Sequence, residues 1–409
     1  MTLTHVPIGF LPLLDSALIV LAREKGFAEE EGLDLQLNKE TSWANIRDRI
    51  AVGHFDAAQM LAPMPIAASL GLTPLDVPII TPIVLGLGNN AITVSAGLWQ
   101  QMAAAGAPGD LAAGPAGAAL AKVVGTSPRK LKFGVVHQTS SHNYELRYWL
   151  AASGIRPDVD LEIVVLPPPL LPDAIASGTI DGYCVGEPWN SVGVDKAGAH
   201  IATVKASVWK SSPDKVLGLR AAWADEHPDI VAALIRAIHS AALWCSDPAN
   251  HSAAAQILAQ PGYLDNPAEL VERALSGHLN VGGGASRVVP DFFIPHARAA
   301  NFPWKSHALW YYTQMVRWAQ VPHRPEHVTQ AAASFRPDLY RAALMDRGVP
   351  YPVADYRPVG ALAQPTAINA AGGSLEIGPD QFFDGVVFDP TNLDGYVEAQ
   401  HLADESLGS

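Results

Sequence analysis

Segments with strand character alternate with segments of helical character through the first 245 of the 409 residues. Residues 5–10, 33–37 and 54–58 are short apolar runs that favour strands, and residues 16–25 have helical spacing and end at Gly26. Strands that are joined by helices lie parallel, because each helix carries the chain back to the end at which the preceding strand began. The alternation therefore predicts an α/β fold with largely parallel sheets.

The length of the chain indicates that the α/β pattern forms more than one structural unit. A chain of 409 residues is too long for one ordinary core, and a strand beginning at residue 90 is predicted to cross into a second unit. We expect a discontinuous first lobe, a second lobe inserted in it, and a C-terminal extension packed on the lobes. The predicted boundaries are residues 1–92 and 205–345 for the first lobe, 93–204 for the second lobe and 346–409 for the extension.

Residues 40–72 carry the pattern of a cleft wall. A helix is predicted to begin near Trp43, after Thr41 and Ser42 at the N-cap position, and the strand that follows ends in a polar residue, Gln59. Strand ends and helix N-termini face the ligand in α/β proteins that bind solutes between lobes. The Trp43 indole N–H is a donor without acceptor capacity, so it suits a small anion. Alternatively, this tryptophan packs one lobe against the other.

Two further polar residues lie where predicted elements begin. His142 follows two serines at the start of a predicted helix, where free backbone N–H groups and the helix dipole favour negative charge. It is otherwise an exposed histidine of a capping segment. Asn90 begins the crossing strand and offers an amide donor, although turn chemistry explains Asn-rich loops equally well.

A lysine and a carboxylate complete the set of candidate residues. Lys215 begins the apolar strand-like run 216–219, so that its side chain points into a crevice or, alternatively, lies in solvent. Gly186 and Glu187 form a hinge-like turn after a predicted strand. Glu187 either accepts a hydrogen bond from a ligand or holds the second crossing together, and the second role fits better because a carboxylate repels a bound anion.

Composition and motifs exclude several classes of protein. The net charge of −13 argues against non-specific binding to nucleic acid or to a membrane surface. We find no Walker loop, dinucleotide-binding fingerprint, nucleophile elbow or paired-cysteine zinc pattern, and thus expect no enzyme, cofactor or metal. Cys184 and Cys245 are predicted to be buried small hydrophobic residues. The Ala-, Gly- and Pro-rich residues 103–128 are expected to form a surface insertion or a loosely packed helix.

Several motifs in a fixed order give the chain a family resemblance. They are SWANIRDR, DAAQMLAPMP, GNNAITVS, SSHNYELRYWLAASGI, DGYCVGEPWN and WKSSPDKVLG, and they extend from IGFLP near the N-terminus to FFDG in the tail. Together they resemble the nitrate/bicarbonate-binding family of ABC-type solute-binding proteins. The resemblance implies a two-lobed, periplasmic-binding-protein-like fold of type II, with a helical and irregular C-terminal tail.

The same resemblance implies a site for a small planar oxyanion. Nitrate would meet the Trp43 indole and His142, and Lys215 would supply the positive charge. This chain has Asn90 where transport members of the family usually have Gln, and Gln59 where they have His. Both replacements keep a donor, and the site is thus expected to contain donors only.

The start of the sequence suggests a role for such a protein. The first predicted strand begins at about residue 5 with no basic, apolar leader before it, which predicts a cytoplasmic protein, or a periplasmic one if a leader has been removed. A cytoplasmic member resembles nitrate sensors of the NasS type, which bind nitrate or nitrite and control an RNA-binding antiterminator response regulator of the NasT type. The alternatives are the solute-binding component of a nitrate, bicarbonate or cyanate ABC transporter and an enzyme built on the same fold.

Overall fold

A computed structural model describes residues 2–407 of the chain. Its strands are β1 Thr4–Phe10, β2 Leu33–Lys39, β3 Ala57–Leu61, β4 Ile79–Val84, β5 Leu87–Gly88, β6 Asn90–Val94, β7 Leu131–Val135, β8 Leu161–Val165, β9 Gly182–Gly186, β10 His200–Val204, β11 Lys215–Arg220, β12 His278–Gly282, β13 Ala285–Val288, β14 Phe293–Ile294, β15 Tyr351–Pro352, β16 Thr366–Ala367, β17 Ala370–Ala371 and β18 Glu376–Ile377.

The helices cover both faces of the sheets that these strands form. They are α1 Ala17–Glu24, α2 Phe27–Glu30, α3 Trp43–Ala51, α4 Pro63–Ser69, α5 Ala96–Ala104, α6 Ala113–Thr126, α7 Ser141–Ala152, α8 Leu171–Ala176, α9 Trp189–Ala197, α10 Lys205–Val208, α11 Ala221–Glu226, α12 Pro228–Cys245, α13 His251–Leu258, α14 Ala268–Ser276, α15 Lys305–Arg317, α16 Pro325–Ala333, α17 Pro337–Leu344 and α18 Leu393–Ser406.

Two five-stranded sheets divide the molecule into two lobes. The first sheet has the strand order β2-β1-β3-β11-β4, and the second has the order β10-β6-β9-β7-β8. β1, β2 and β3 are parallel, as are β7, β8 and β9, whereas β11 and β6 run antiparallel to their neighbours. The predicted α/β class is confirmed, and each sheet carries antiparallel strands at the point where the chain changes lobe.

The chain crosses between the lobes twice. The first crossing joins β4 to β6, and the predicted boundary at residue 92 falls inside β6, which lies wholly in the second sheet. Gly88 makes this crossing possible: its φ is 84°, and a Cβ there would overlap the carbonyl oxygen of Phe292. The second crossing joins β10 to β11 through α10. Because both crossings end at strands near the interlobe cleft, they bring distant parts of the sequence together there.

The C-terminal extension packs on the crossing and on the second lobe. Phe382 stacks on Trp209, with 4.8 Å between ring centroids, and lies 5.2 Å from the ring of Tyr148 in α7. The Tyr148 hydroxyl donates to Asp384 at 2.8 Å. These contacts fasten the extension to the segment between β10 and β11.

Three sequence-based expectations concern local packing. The third strand lies at Ala57–Leu61 rather than at residues 54–58, because all five of its residues pair with β11. α6 is closely packed rather than loose: a Cβ at Gly117 would overlap Ser153. Cys184 and Cys245 are buried and free, as predicted.

One helix in residues 2–407 is long and apolar enough for a membrane span, namely α12. It packs against α1 and α17 in the first lobe. Its Arg236 donates to Glu31 at 2.6 Å. These are the contacts of a core helix.

Candidate functional site

Lys215 lies at the centre of a buried polar cluster between the lobes. It is the first residue of β11, where it pairs with Leu61 of β3, and its side chain is 0% exposed. The Lys215 Nζ lies 5.6 Å from the centroid of the Trp43 ring at the start of α3. The lysine therefore points into the protein, and the alternative of a solvated lysine is wrong.

Two carboxylates contact the Lys215 ammonium. Asp15 follows β1, in a single 3₁₀ turn, and its Oδ2 is 3.1 Å from Lys215 Nζ. Asp214 precedes Lys215 in the chain and forms a short hydrogen bond with the same nitrogen. Both carboxylates are about 2% exposed. A single buried cation thus faces two buried anionic groups.

Three of the predicted donors surround the lysine. His142 Nε2 lies 3.5 Å from Lys215 Nζ and 3.0 Å from Asn90 Oδ1. Within residues 2–407, the Trp43 Nε1, the Asn90 Nδ2 and the His142 Nδ1 have no hydrogen-bond partner, although each is buried. In the neutral His142 ring, Nε2 donates to Asn90 Oδ1, so the unpartnered Nδ1 is an acceptor, whereas Trp43 Nε1 and Asn90 Nδ2 are N–H donors. A buried N–H without a partner costs free energy, and these two donors lie near the Lys215 ammonium, where an anionic ligand would complete them.

Helix starts hold two of these residues in place. Ser42 caps α3 by accepting from the Asn45 N–H at 3.2 Å, which fixes Trp43 at the first helical position. Ser140 caps α7 in the same way, at 3.0 Å from the Asn143 nitrogen, and fixes His142. α3 belongs to the first lobe and α7 to the second, so the site is assembled from both.

Gln59 and the turn at residues 186–187 have structural partners. The Gln59 amide accepts from the Leu11 N–H at 2.7 Å and donates to Asp15, so both of its ends are used inside the first lobe. Glu187 accepts from the Ser191 N–H at 3.1 Å, and its backbone nitrogen donates to the Asn89 carbonyl. These contacts agree with a role for Glu187 in holding the crossing together.

Three side chains approach Gly186 closely, from the adjacent strand β6, from the crossing before it and from the first lobe. A Cβ at this position would lie 3.2 Å from Asn90 Oδ1, 3.3 Å from Asn89 Nδ2 and 3.5 Å from Asp15 Oδ2. A side chain at this position would therefore press on the two amides, which would have to shift by a few tenths of an ångström.

A second buried ion pair supports the first. Lys205 Nζ lies 2.7 Å from Glu145 Oε1 and 3.8 Å from Asp214 Oδ1. The Tyr311 hydroxyl donates to the Pro213 carbonyl at 2.7 Å. Asp214 consequently has two cations within 4 Å, and it also accepts from the Ser141 hydroxyl.

Burial and the neighbouring charges shift the pKa values of the four groups in different directions. Burial opposes the charge of Asp214, but Lys215 and Lys205 outweigh it and hold the pKa of that carboxyl well below its usual range. Burial raises the pKa of Asp15, since the attraction of Lys215 offsets desolvation only in part. Burial also lowers the pKa of His142 well below its ordinary value, and Lys215 lowers it further. The pKa of Lys215 is raised, because Asp15 and Asp214 outweigh its burial.

The expectation of a site with donors only is wrong. Asp15 and Asp214, which sequence analysis did not select, both contact the lysine. Asp214 adjoins Lys215 in the sequence, and this adjacency was a usable signal. Asp15 is 200 positions away from Lys215, and no local pattern marks it.

Known proteins resemble the chain along its length. The model of the NMT1-like family matches residues 2–259. The nitrate/nitrite binding protein NrtA of Synechococcus elongatus is 34% identical over 402 residues, which cover 96% of this chain and 85% of the relative. The bicarbonate transport ATP-binding protein CmpC of the same species is 35% identical over 78% of this chain, which spans 46% of that longer relative.

A solved structure has the same architecture. The periplasmic nitrate-binding protein NrtA of Synechocystis PCC 6803 superposes with a TM-score of 0.84 at 27% identity, covering 97% of this chain and 98% of that one. The relatives are transport and binding proteins, which confirms the prediction of a binding protein rather than an enzyme. The chain belongs to the NMT1-like family, as a homologue of nitrate- and bicarbonate-transport proteins.

Proposed function

We propose that this protein is the solute-binding component of an ABC importer and that it captures nitrate or nitrite between its lobes. The observation that carries the proposal is the buried Lys215 ammonium, with the unpartnered Trp43 Nε1 and Asn90 Nδ2 donors beside it. Planar oxyanions without protons accept hydrogen bonds and donate none, so a cation with N–H groups matches their chemistry.

Bicarbonate is the competing ligand. It carries an O–H and requires an acceptor as well as donors. The Asp15 and Asp214 carboxylates are acceptors in the cluster, and one relative transports bicarbonate. Nitrate is favoured for two reasons. A relative that matches 96% of this chain binds nitrate and nitrite, and the solved structure with the same architecture is a nitrate-binding protein.

Transport is favoured over the cytoplasmic sensor. The relatives are components of transport systems, and the solved relative is periplasmic. The cytoplasmic location and the antiterminator partner of the NasT type rest on the sequence resemblance and stay predictions. The proposal follows the relatives and places the protein with an importer in the periplasm.

Calorimetric titration with nitrate, nitrite, bicarbonate and cyanate tests the proposal. We expect saturable nitrate binding, and weaker binding by Trp43→Phe, which keeps an aromatic ring and deletes the N–H. A hydrogen bond to a charged group contributes roughly 1.5–3 kcal/mol, which corresponds to about 10- to 100-fold in affinity.

Trp209→Phe is the matched control for this titration. Trp209 is another buried tryptophan whose Nε1 has no partner in residues 2–407, but it stacks on Phe382 in the extension. Its replacement should leave nitrate affinity unchanged. Absence of nitrate and nitrite binding, with clear binding of bicarbonate, would overturn the proposed ligand.

A further inference from the structure

The charge balance at Lys215 does not accommodate an additional anion. The one ammonium already contacts two carboxylates, Asp15 at 3.1 Å and Asp214 at shorter range. All three groups are buried, so water does not screen their charges. A nitrate placed beside the lysine would be the third negative group on one cation.

The two carboxylates are not equally supported. Asp214 has Lys205 as a second cation at 3.8 Å and accepts from the Ser141 hydroxyl. Asp15 has Lys215 as its only cationic contact within residues 2–407. Its other hydrogen-bond partners are the neutral amides of Gln59 and Asn89. Asp15 is therefore the carboxylate that loses its charge at the lower cost.

We propose that the cleft takes up one proton together with its anion and that Asp15 holds this proton. The inference rests on the proposed function and names how the same site is regulated. Solvent supplies the proton, which converts the Asp15 carboxylate to the neutral acid as the anion enters. The Lys215 charge that Asp15 had balanced then serves the bound anion.

Several elements contribute titratable groups near Asp15. β11 and the preceding loop contribute Lys215 and Asp214, and both keep their charges near neutral pH because each raises the other's preference for the ionised form. α7 contributes His142, which burial keeps neutral. The turn after β9 contributes Glu187, and α7 and α10 contribute the Glu145–Lys205 pair beside Asp214; burial raises the pKa of each glutamate to about 7. Burial already raises the pKa of Asp15, in agreement with its assignment as the proton acceptor.

The linkage between proton uptake and nitrate binding fixes the direction in which pH changes the nitrate affinity. A site that binds one more proton with its ligand than without it loses affinity as pH rises. The dissociation constant for nitrate is expected to be constant below the pKa of Asp15 in the free protein. Above that pKa it should rise towards tenfold for each pH unit.

The test is calorimetric titration of the full chain with potassium nitrate from pH 5.5 to 9 at constant ionic strength. At pH 8, titrations in buffers of different ionisation enthalpy count the protons taken up. We expect close to one proton per nitrate there. This count needs only the wild-type protein, so it stands even if a variant fails to fold.

Three variants assign the proton. Asp15→Asn keeps the shape and the neutral state, and its nitrate affinity should not vary with pH. Glu145→Gln and Glu187→Gln each remove another buried carboxyl near the cluster, whose pKa burial raises to about 7, and each should keep the wild-type dependence on pH.

Three results would overturn the inference. They are a wild-type affinity that is flat from pH 5.5 to 9, an uptake of no protons at pH 8, and an unchanged pH dependence in Asp15→Asn. If nitrate gives no binding at any pH, the proposed function itself fails, which is a different outcome.

Discussion

Removal of the Lys215 charge should destabilise the protein as well as abolish anion binding. Lys215→Met keeps an unbranched, apolar stem of similar length and deletes the ammonium. Asp15 and Asp214 would then face each other in a buried site that has lost the cation they share. Removing one partner of a buried pair typically costs about 3–5 kcal/mol in the free energy of unfolding.

Protonation of the carboxylates sets a ceiling on this loss. A carboxylate that has lost its cation escapes the penalty by taking a proton, at a cost of about 1.4 kcal/mol for each pH unit above its pKa. From an ordinary aspartate pKa, that cost is roughly 4 kcal/mol at pH 7 and roughly 1.5 kcal/mol at pH 5. The destabilisation of Lys215→Met should therefore be about 3–4 kcal/mol at pH 7 and less than about 2 kcal/mol at pH 5.

Urea unfolding, followed by the fluorescence of the ten tryptophans, measures both values. A second variant checks the cause. Adding Asp15→Asn to Lys215→Met removes one of the two stranded carboxylates and leaves Asp214 with Lys205 at 3.8 Å. We expect the double variant to regain most of the lost stability at pH 7 while still failing to bind nitrate.

The result that refutes this reasoning is a Lys215→Met protein within about 1 kcal/mol of wild type at pH 7, since uncompensated buried charges of this kind are expected to cost more. A loss of equal size at pH 5 and pH 7 would also contradict it, because the ceiling set by protonation would then not apply.

Two further predictions concern the turn after β9 and the C-terminal extension. Burial raises the pKa of Glu187 to about 7, so its contribution to stability is fully present below its unfolded pKa and is lost as pH rises through 7. The free energy of unfolding of Glu187→Gln, measured in urea, should therefore rise relative to that of the wild type by roughly 3 kcal/mol between pH 5 and pH 8. Parallel pH profiles of the two proteins would contradict this. Phe382→Ala should cost about 3–5 kcal/mol by thermal unfolding, because a buried aromatic ring is lost between Trp209 and the second lobe. Val387→Ala, an exposed change nearby, should cost less than about 0.5 kcal/mol, and equal losses would show that Phe382 does not fasten the extension.

Residues that are close in the chain were sufficient to predict most of the helices and strands that surround the site. The N-cap serines before Trp43 and His142 were visible in the sequence, because capping depends on residues that are close in the chain. The position of β3 was not visible in the local sequence. Its residues Met60 and Leu61 pair with Val216 and Lys215, about 155 positions away, and this pairing extends the strand beyond the predicted end.

The sequence by itself determined the α/β class and the family and selected Trp43, Asn90, His142 and Lys215 as candidate residues, because each inference depends on local periodicity or on an ordered set of short motifs. Only the tertiary structure decided the charge of the site. β11 inserts between β3 and β4 and carries Lys215 to the end of β1, where Asp15 lies. A contact across 200 residues is fixed by strand order, and strand order has no local signal in the chain.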